Sequence, residues 1–315
     1  MRKGIPAQGL LYIDEKETAQ KIEEYIRRSV DEKMAGGVIM GLSGGVDSAL
    51  LAALAVRALG KDRVCVYFLQ GKYSEKDSLD KARLVSEHLS LNLNIDSIEK
   101  AMREKEKGAP FFKWLTTVPD FMLPVIAAIY YMTVGETPYI TTLRKNEIKK
   151  NRFKKWVYEH IMDGVEKMFD GPCAERRVVL EKIAVEKNFL LIGAGNKSED
   201  MTGWFTVDGI DNMPCSPINC LYKTQVNQLA EYLGMPDAIM KRKPTADVLK
   251  GATDALALGM GYDKIDLALY GIEHNLSDED ISVYGLTIPE IRKVRRIYFL
   301  SAWKREDNVK YYGRF

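Results

Sequence analysis

The sequence predicts an α/β protein: a doubly wound parallel sheet with a helical insertion. Short apolar segments of strand length alternate with amphipathic helical segments, which implies right-handed crossovers and a parallel sheet covered on both faces. A glycine-rich turn joins the first strand to a helix rich in Ala and Leu. The alternation stops near residue 100 and resumes near residue 170. We therefore expect a single α/β domain over residues 1–315, with a helical insertion at about 100–169 and a helical C-terminal tail at about 262–315.

Each element follows from its apolar pattern. Helices show apolar residues at intervals of three and four, and strands are short apolar runs. Before the insertion we predict, in order, a helix at 13–30, a strand at 38–42, a helix at 49–59, a strand at 63–69, a helix at 76–89 and a strand at 91–98. After it we predict a helix at 175–187, a strand at 189–192 and a helix that opens at 221–226 and ends near Gly234.

The insertion is aromatic and basic. Its apolar stretch, 121–134, contains Pro124 and is too short to span a bilayer. We interpret this stretch as a buried or subunit-interface helix. A basic run at 144–155 holds seven Lys and Arg residues against Glu147 alone. It reads as a solvated helix face, with a phosphate or RNA contact as the alternative.

Composition narrows the class of protein. The net charge is +2, from 46 basic and 44 acidic residues, which argues against nucleic acid or a membrane surface as an obligatory partner. No signal peptide or lipidation motif is recognisable at the N-terminus, so we expect a cytoplasmic protein that acts on a small molecule. Four cysteines in a chain of 315 residues do not make a disulfide framework. We expect them to be reduced.

The turn after the first strand reads SGGVDS, residues 43–48. A strand, a glycine turn and a helix in this order form an anion site, because free N–H groups and the positive end of the helix dipole point into the turn. No lysine follows the glycines, and Asp47 stands before the hydroxyl of Ser48. A carboxylate repels phosphate unless a divalent cation lies between them, so Asp47 is a candidate magnesium ligand. The alternative is a polar turn that holds no ligand.

These six residues resemble the pyrophosphate loop of the N-type ATP pyrophosphatases. Other runs occur in the order and rough spacing of ammonia-dependent NAD synthetases. They are GNKSE ending at Glu199, GWFT at 203–206, LYKTQV at 221–226, KPTAD at 243–247, Thr253-Asp254, LG at 258–259, YD at 262–263, Ser301 and KR at 304–305. The resemblance covers about residues 15–99 and 170–306, and it implies the adenine-nucleotide α-hydrolase fold.

The resemblance implies a two-step ligation. A substrate carboxylate attacks the α-phosphorus of ATP, pyrophosphate leaves, and ammonia displaces AMP from the acyl-adenylate; the implied acceptor is nicotinate adenine dinucleotide and the product is NAD. A loose phosphoryl transition state needs positioning and charge neutralisation rather than covalent help. The implied residues are Asp47 and Lys223 for catalysis, Ser43, Gly44, Gly45, Asp47, Ser48, Lys223 and Thr245 for ATP or pyrophosphate, and Asp47 and Glu199 for Mg2+.

The acceptor half departs from the family pattern. Arg176, Phe205 and Asp208 stand at positions that the resemblance assigns to acceptor binding. The family's usual cationic and glycine-rich motifs are replaced around them, at Gly171-Pro172, Val178, 207–212 and Ala255. Each lost charge-assisted contact weakens the grip on a dianionic dinucleotide by ~1.5–3 kcal/mol. The alternative is therefore an ATP pyrophosphatase that acts on a different acceptor, as an amide ligase or a sulfur transferase.

Three cysteines, Cys173, Cys215 and Cys220, fall in these altered segments. If they converge, they could ligate three irons of a [4Fe–4S] cluster or supply sulfur to an adenylated substrate. The other interpretation is that they are ordinary buried cysteines that do not meet. Their spacing favours the second, since it matches no recognised cluster motif.

The resemblance also implies partners. Nitrogen would be free ammonia or would come from an ammonia-supplying protein. Family members pair as homodimers, and the apolar helix at 121–134 could contribute to such a surface. A non-catalytic nucleotide-binding regulator is a third reading, which would bind ATP without releasing pyrophosphate.

Overall fold

The structure, a computed structural model, describes residues 7–75, 77–144, 151–245 and 247–306. Its sheet is parallel throughout, with the strand order β3-β2-β1-β4. The strands are β1 Val38–Gly41, β2 Val64–Gln70, β3 Leu93–Ser97 and β4 Leu190–Leu191. Each lies within the predicted apolar run to about one residue, and the strand order reverses beside β1. The predicted fold class is confirmed.

The helices before the insertion are α1 Ala7–Leu10, α2 Glu15–Glu32, α3 Val46–Leu59 and α4 Ser78–His88. The last three match their predictions to within three residues at each end, whereas α1 was not predicted. The first residue of the predicted 76–89 helix, Lys76, lies outside the described residues. Helix α2 begins where the Asp14 side chain accepts a hydrogen bond from the Glu17 N–H, which satisfies one of the free donors of the first turn.

The insertion is helical, as predicted. It contains α5 Glu99–Lys107, α6 Pro110–Leu115, α7 Leu123–Val134, α8 Pro138–Leu143, α9 Arg152–Val157, a π-helical turn Tyr158–Met162 and α10 Asp163–Lys187. The predicted helix start at 175 is wrong, because α10 begins at Asp163 and runs without a break to Lys187. Gly171 lets α5 approach closely, since a Cβ there would lie 2.9 Å from the Met102 Cε atom. Packing therefore overrides the helix-breaking signal of Gly171-Pro172.

The basic run is not simply a solvated face. Residues 145–150 lie outside the described residues. Arg144 and Lys154, at the two sides of that gap, both form ion pairs with Glu136, at 2.9 and 3.3 Å. Glu136 is buried and also pairs with Arg296 at 3.2 Å. The run thus fastens the insertion to the C-terminal helices around one buried carboxylate.

The remaining helices follow β4. They are α11 Lys197–Thr202, α12 Lys223–Tyr232, α13 Asp237–Met240, α14 Asp254–Leu258, α15 Tyr262–Glu273, α16 Asp278–Ser282, α17 Ile288–Leu300 and α18 Ala302–Glu306. Residues 307–315 of the predicted tail lie outside the described residues. None of the helices that the structure describes is long and apolar enough to cross a membrane.

Helices cover both faces of the sheet. Val38 and Met40 of β1 pack with α2, α3 and α12 in one core, whereas Ile39 packs with α5, α6 and α10 in another. Successive side chains of a strand point to opposite faces, so the continuous apolar run of β1 serves both layers. This arrangement leaves the carboxyl ends of the strands open for a ligand.

Candidate functional site

The turn after β1 is shaped to receive an anion. Gly44 has φ +75°, and a Cβ there would meet the Ser78 carbonyl oxygen at 2.7 Å, so only glycine fits. The Ser48 hydroxyl accepts from the Ser43 N–H at 3.2 Å and donates to the Gly45 carbonyl at 3.1 Å. Helix α3 starts at Val46, and its first N–H groups point into the turn.

Asp47 meets two polar side chains that come from distant parts of the chain. One carboxylate oxygen accepts from the Asn196 side-chain amide at 2.9 Å, and the other forms an ion pair with Lys223. Asn196 is the residue that caps α11, and Lys223 opens α12. The ends of β1 and β4 therefore bring together residues that are 149 and 176 positions apart in the sequence.

Glu199 completes this group from the first turn of α11. Its side chain accepts from the Asn196 backbone N–H at 3.2 Å, in a reciprocal capping box. Burial raises the pKa of Glu199 well above its ordinary value, and the neighbouring Asp47 charge raises it further, while Lys223 acts in the opposite direction. Burial alone would lower the pKa of Lys223, but Asp47 and Glu199 outweigh that and raise it.

These carboxylates suit a divalent cation. Asp47 and Glu199 repel one another in a buried setting where Lys223 is the neighbouring positive charge, and a bound cation would relieve that repulsion. The part of the chain that the structure describes contains no group of three or more His, Cys, Asp or Glu side chains placed to hold a metal. Two protein carboxylates with phosphate and water are the usual environment of Mg2+, so the residues fit that ion.

A third buried carboxylate, Asp254, lies nearby at the start of α14. Its Oδ2 atom accepts from the Tyr262 hydroxyl at 3.0 Å. Its Oδ1 atom is buried and makes no hydrogen bond within the described residues. Burial raises the pKa of Asp254, whereas Lys223 and the Tyr262 and Trp204 side chains act against that rise.

Arg242 holds the pyrophosphate loop against α4. Its guanidinium donates to the Ser43 carbonyl at 3.2 Å and to the Ser78 hydroxyl at 2.7 Å, and it pairs with Glu75 at 3.1 Å. Asp247 accepts from Ser78 at 2.7 Å in the same network. Ala246, in the predicted 243–247 motif, lies outside the described residues.

A cavity of about 430 Å³ extends from the loop into the insertion. Most of the predicted site lines it, namely Ser43, Gly45, Asp47, Ser48, Arg176, Glu199, Phe205, Lys223 and Thr245. The Thr245 hydroxyl donates to the Ala252 carbonyl at 3.1 Å. Arg176 donates to the Leu69 carbonyl at 3.2 Å and lies 4.0 Å from Asp247.

Asp208, which the sequence predicts as an acceptor-binding residue, lies apart from the other predicted site residues. Its side chain is exposed and does not line the cavity. Asp211, three residues later, is partly buried and lines the cavity, because the Gly209 turn folds back and the Thr206 N–H donates to its Oδ2 atom at 3.1 Å. Burial raises the pKa of Asp211 to about 6.

The three cysteines lie in different surroundings. Cys173 lines the cavity beside Thr206, Cys215 packs near Tyr25 in the core of α2, and Cys220 faces the Pro217 carbonyl. Burial raises the pKa of Cys173 to about 12 and that of Cys220 to about 11, so both stay as thiols. Nothing in the described residues supports the iron–sulfur alternative.

Several residues in or beside the cavity were not predicted as part of the site. Four of these residues lie inside or beside the quoted motifs, namely Asn196, Trp204, Arg242 and Asp254. The cap position of Asn196, just before the start of α11, was a signal that could have identified it. Tyr139 gives no signal in the sequence. Its hydroxyl reaches the Thr202 carbonyl at 2.9 Å from the insertion, and its ring packs on Trp204.

A phosphate loop at the switch point of a doubly wound parallel sheet, facing a lysine and two carboxylates, defines a nucleotide-using enzyme of the adenine-nucleotide α-hydrolase fold. The NAD synthase family model matches residues 18–112 and 141–308. The NH3-dependent NAD+ synthetase of Thermotoga maritima is 31% identical over 91% of this chain and 96% of its own. That of Thermococcus sibiricus is 30% identical over 95% and 96%.

The chain belongs to the NAD synthase family. The resemblance that the motifs carry is confirmed, and the protein is an enzyme of that type. Two solved structures share the fold. The NMN synthetase of Francisella tularensis has a TM-score of 0.65 at 21% identity, covering 95% of this chain and 98% of its own. The NH3-dependent NAD synthetase of Campylobacter jejuni, with nitrate, has 0.63 at 23%, covering 94% and 98%.

Proposed function

We propose that the protein uses ATP to adenylate the carboxylate of nicotinate adenine dinucleotide and amidates it with ammonia to give NAD. The observation that carries this proposal is the convergence of Asp47, Glu199 and Lys223 beside the pyrophosphate loop. Relatives 31% identical over nearly the whole chain are NH3-dependent NAD+ synthetases, which supports the acceptor and the nitrogen source.

The loop and Lys223 would act on the departing phosphates. The N–H groups at the start of α3 would receive pyrophosphate oxygens, and the Ser48 hydroxyl would join them by turning away from the Gly45 carbonyl. Lys223, which is buried beside the loop, would neutralise charge that builds up as the bond to the α-phosphorus breaks. Thr245 lines the same cavity and would donate its hydroxyl to the phosphate in place of the Ala252 carbonyl that accepts it in this structure.

Asp47 and Glu199 would hold Mg2+ at the same place. Bound there, the cation supplies charge neutralisation for the pyrophosphate leaving group. Lys223 now occupies one Asp47 oxygen. The Lys223 ammonium would turn to the phosphates when the Asp47 carboxylate holds Mg2+. The same lysine would therefore pair with Asp47 in the absence of the cation and with the phosphates in its presence.

The reaction is tested by steady-state assay. Purified protein receives ATP, Mg2+, ammonium and nicotinate adenine dinucleotide, and NAD and pyrophosphate are measured together. Asp47→Asn is expected to lower kcat at least a hundredfold, because it removes a charge needed in the transition state. Asp62→Asn removes the same charge on the exposed turn before β2 and should leave activity within twofold. Pyrophosphate without NAD rejects the acceptor, and neither product rejects the reaction.

We also propose that two copies of the chain pair through α7. One face of this helix lines the cavity, while Val125, Ile129 and Met132 on the other face are 50%, 54% and 76% exposed. Exposed apolar patches of this kind often mark interfaces. Light scattering should report a dimer for the native chain and a monomer for Ile129→Glu. The same change at Val185, which is exposed on α10, should leave the dimer intact.

We propose a cytoplasmic location, with nitrogen drawn from free ammonia or from a separate protein. Cys173 and Cys220 are free cysteines, and burial raises the pKa of both thiols. Both observations support a reduced state of these two residues. Cell fractionation tests the location, and the dependence of NAD formation on free ammonium tests the nitrogen source.

A further inference from the structure

The segment between the two stretches that the family model matches forms a wall of the cavity. The family model matches the chain up to residue 112 and again from 141, so residues 113–140 lie between the matched stretches. This segment includes α7 and the start of α8. Leu115, Leu123, Ile126, Ala127, Tyr130 and Tyr139 from this segment all line the cavity.

These side chains make that end of the cavity apolar. Leu115 and Leu123 are buried and join Phe112 in the core that packs under the sheet. Ile126 and Tyr130 lie on the inward face of α7, and the Tyr130 hydroxyl donates a hydrogen bond to the Thr141 hydroxyl at 2.9 Å. Met162 and Val165, from the π-helical turn and α10, continue the surface. A group bound there leaves water for hydrocarbon and aromatic neighbours.

The charges at this end do not suit a phosphate. Glu166 and Asp170 line the cavity here and are both acidic; Tyr158 donates to Glu166 at 2.5 Å and Thr206 donates to Asp170 at 3.1 Å. Lys304 points to the carbonyls of Gly203 and Phe205, at 2.9 and 2.5 Å. A phosphate group would face like charge there, which costs binding energy.

We define the apolar compartment as the cavity wall from residues 113–140 with Met162 and Val165. We propose that this compartment admits a second class of acceptor: carboxylic acids whose body is aromatic or aliphatic and carries no phosphate. The compartment is continuous with the pyrophosphate loop. The carboxylate of such an acid therefore reaches the α-phosphorus of ATP while its body lies among the apolar side chains.

The chemistry is the same as for the dinucleotide, and the inference rests on the proposed adenylation step. A carboxylate oxygen bonds to the α-phosphorus, and the bond from that phosphorus to the bridging oxygen breaks, so pyrophosphate leaves. Ammonia then bonds to the acyl carbon, and the carbon–oxygen bond to AMP breaks. One proton leaves the nitrogen, and the products are a primary amide, AMP and pyrophosphate. No oxidant or reductant takes part.

The test compares acceptors in one assay. Full-length protein receives ATP, Mg2+ and ammonium with 2-naphthoate, with decanoate, or with nicotinate adenine dinucleotide, and pyrophosphate and amide are measured. We expect 2-naphthoate or decanoate to give pyrophosphate and the matching amide above the control without acid. Ile126→Asp should lower kcat/KM for that acid at least tenfold, because a charge enters the apolar wall.

Val185→Asp is the matched control, since it puts the same charge on an exposed position of α10 that lies outside both the cavity wall and the proposed pairing face; it should stay within twofold. Ile126→Thr, a smaller change, covers the case in which the aspartate variant does not fold. Dinucleotide turnover without any amide from the two acids overturns the compartment and leaves the proposed function standing. Turnover of none of the three acceptors overturns both. Equal losses in the Val185 and Ile126 variants also overturn the compartment.

Discussion

Lys223→Met removes the positive charge that faces two buried carboxylates. The Lys223 side chain is 3% exposed and its partner Asp47 19% exposed, so water compensates only in part for the lost charge. Removing one member of a buried ion pair costs about 3–5 kcal/mol. Against a total stability of about 5–15 kcal/mol for a native protein, this is a large fraction. Urea unfolding near pH 7, with midpoint and slope both measured, gives the change in the free energy of unfolding.

Lys197→Met is the matched control. Lys197 also forms an ion pair, with Glu273, but the two side chains are 24% and 38% exposed. Such a pair contributes at most about 1 kcal/mol. Saturating Mg2+ should recover more stability in the Lys223 variant than in the native protein, because the cation would take the place of the missing charge. Equal destabilisation by the two substitutions, or no difference in the Mg2+ response, would refute the reasoning.

Three further predictions concern the loop, the insertion and pH. Gly44→Ala should lower the free energy of unfolding by more than about 2 kcal/mol and abolish pyrophosphate release, because its Cβ would meet a backbone oxygen at 2.7 Å. Gly60 also has a positive φ but has open space around it, so Gly60→Ala should lower the free energy of unfolding by about 1 kcal/mol. Glu136→Gln should cost about 3 kcal/mol in urea unfolding, since it leaves three cations around a neutral, buried amide. Burial raises the pKa of Asp266 to about 6, so its contribution to stability is present below about pH 4 and is lost as the pH rises through 6. The free energy of unfolding of the native protein, relative to that of Asp266→Asn, should therefore fall by about 3 kcal/mol from pH 4 to 7. A loop variant that still releases pyrophosphate, an unchanged unfolding midpoint for the Glu136 variant, or a pH-independent Asp266 difference would contradict them.

The strands and the loop could be predicted because their signals are local. Val38 to Leu42 is an apolar run ended by a glycine turn, and both the strand and the anion site depend on those few residues. Asp47, Glu199 and Lys223 were placed by motif spacing, and the carboxyl ends of neighbouring parallel strands had to bring them to one edge.

Other features depend on distant contacts. Helix α10 passes through Gly171-Pro172 because the glycine admits Met102 of α5, which no local pattern records. Asp211 rather than Asp208 enters the cavity because of how one turn folds back. The basic run looked solvated because its buried partner, Glu136, lies in the bend between α7 and α8, and no local sequence pattern connects the two.

Cavity lining by the insertion could not be predicted for the same reason. Periodicity indicates that α7 is apolar on more than one side, but not which side meets the pyrophosphate loop. Ile126 and Ile129 are both isoleucines of one helix, yet the first lines the cavity and the second is 54% exposed. The choice is made by the packing of α7 against α8 and the core under the sheet.

The central claim is that Asp47 and Glu199 together hold a cation against the departing pyrophosphate. The most direct measurement is the binding of Mn2+, followed by its paramagnetic resonance signal, with and without added pyrophosphate. We predict that the native protein binds Mn2+ more tightly when pyrophosphate is present, and that Asp47→Asn and Glu199→Gln each weaken this binding at least tenfold while Asp62→Asn does not. If either site variant binds Mn2+ and pyrophosphate as tightly as the native protein, the two carboxylates do not share a cation and the account is wrong.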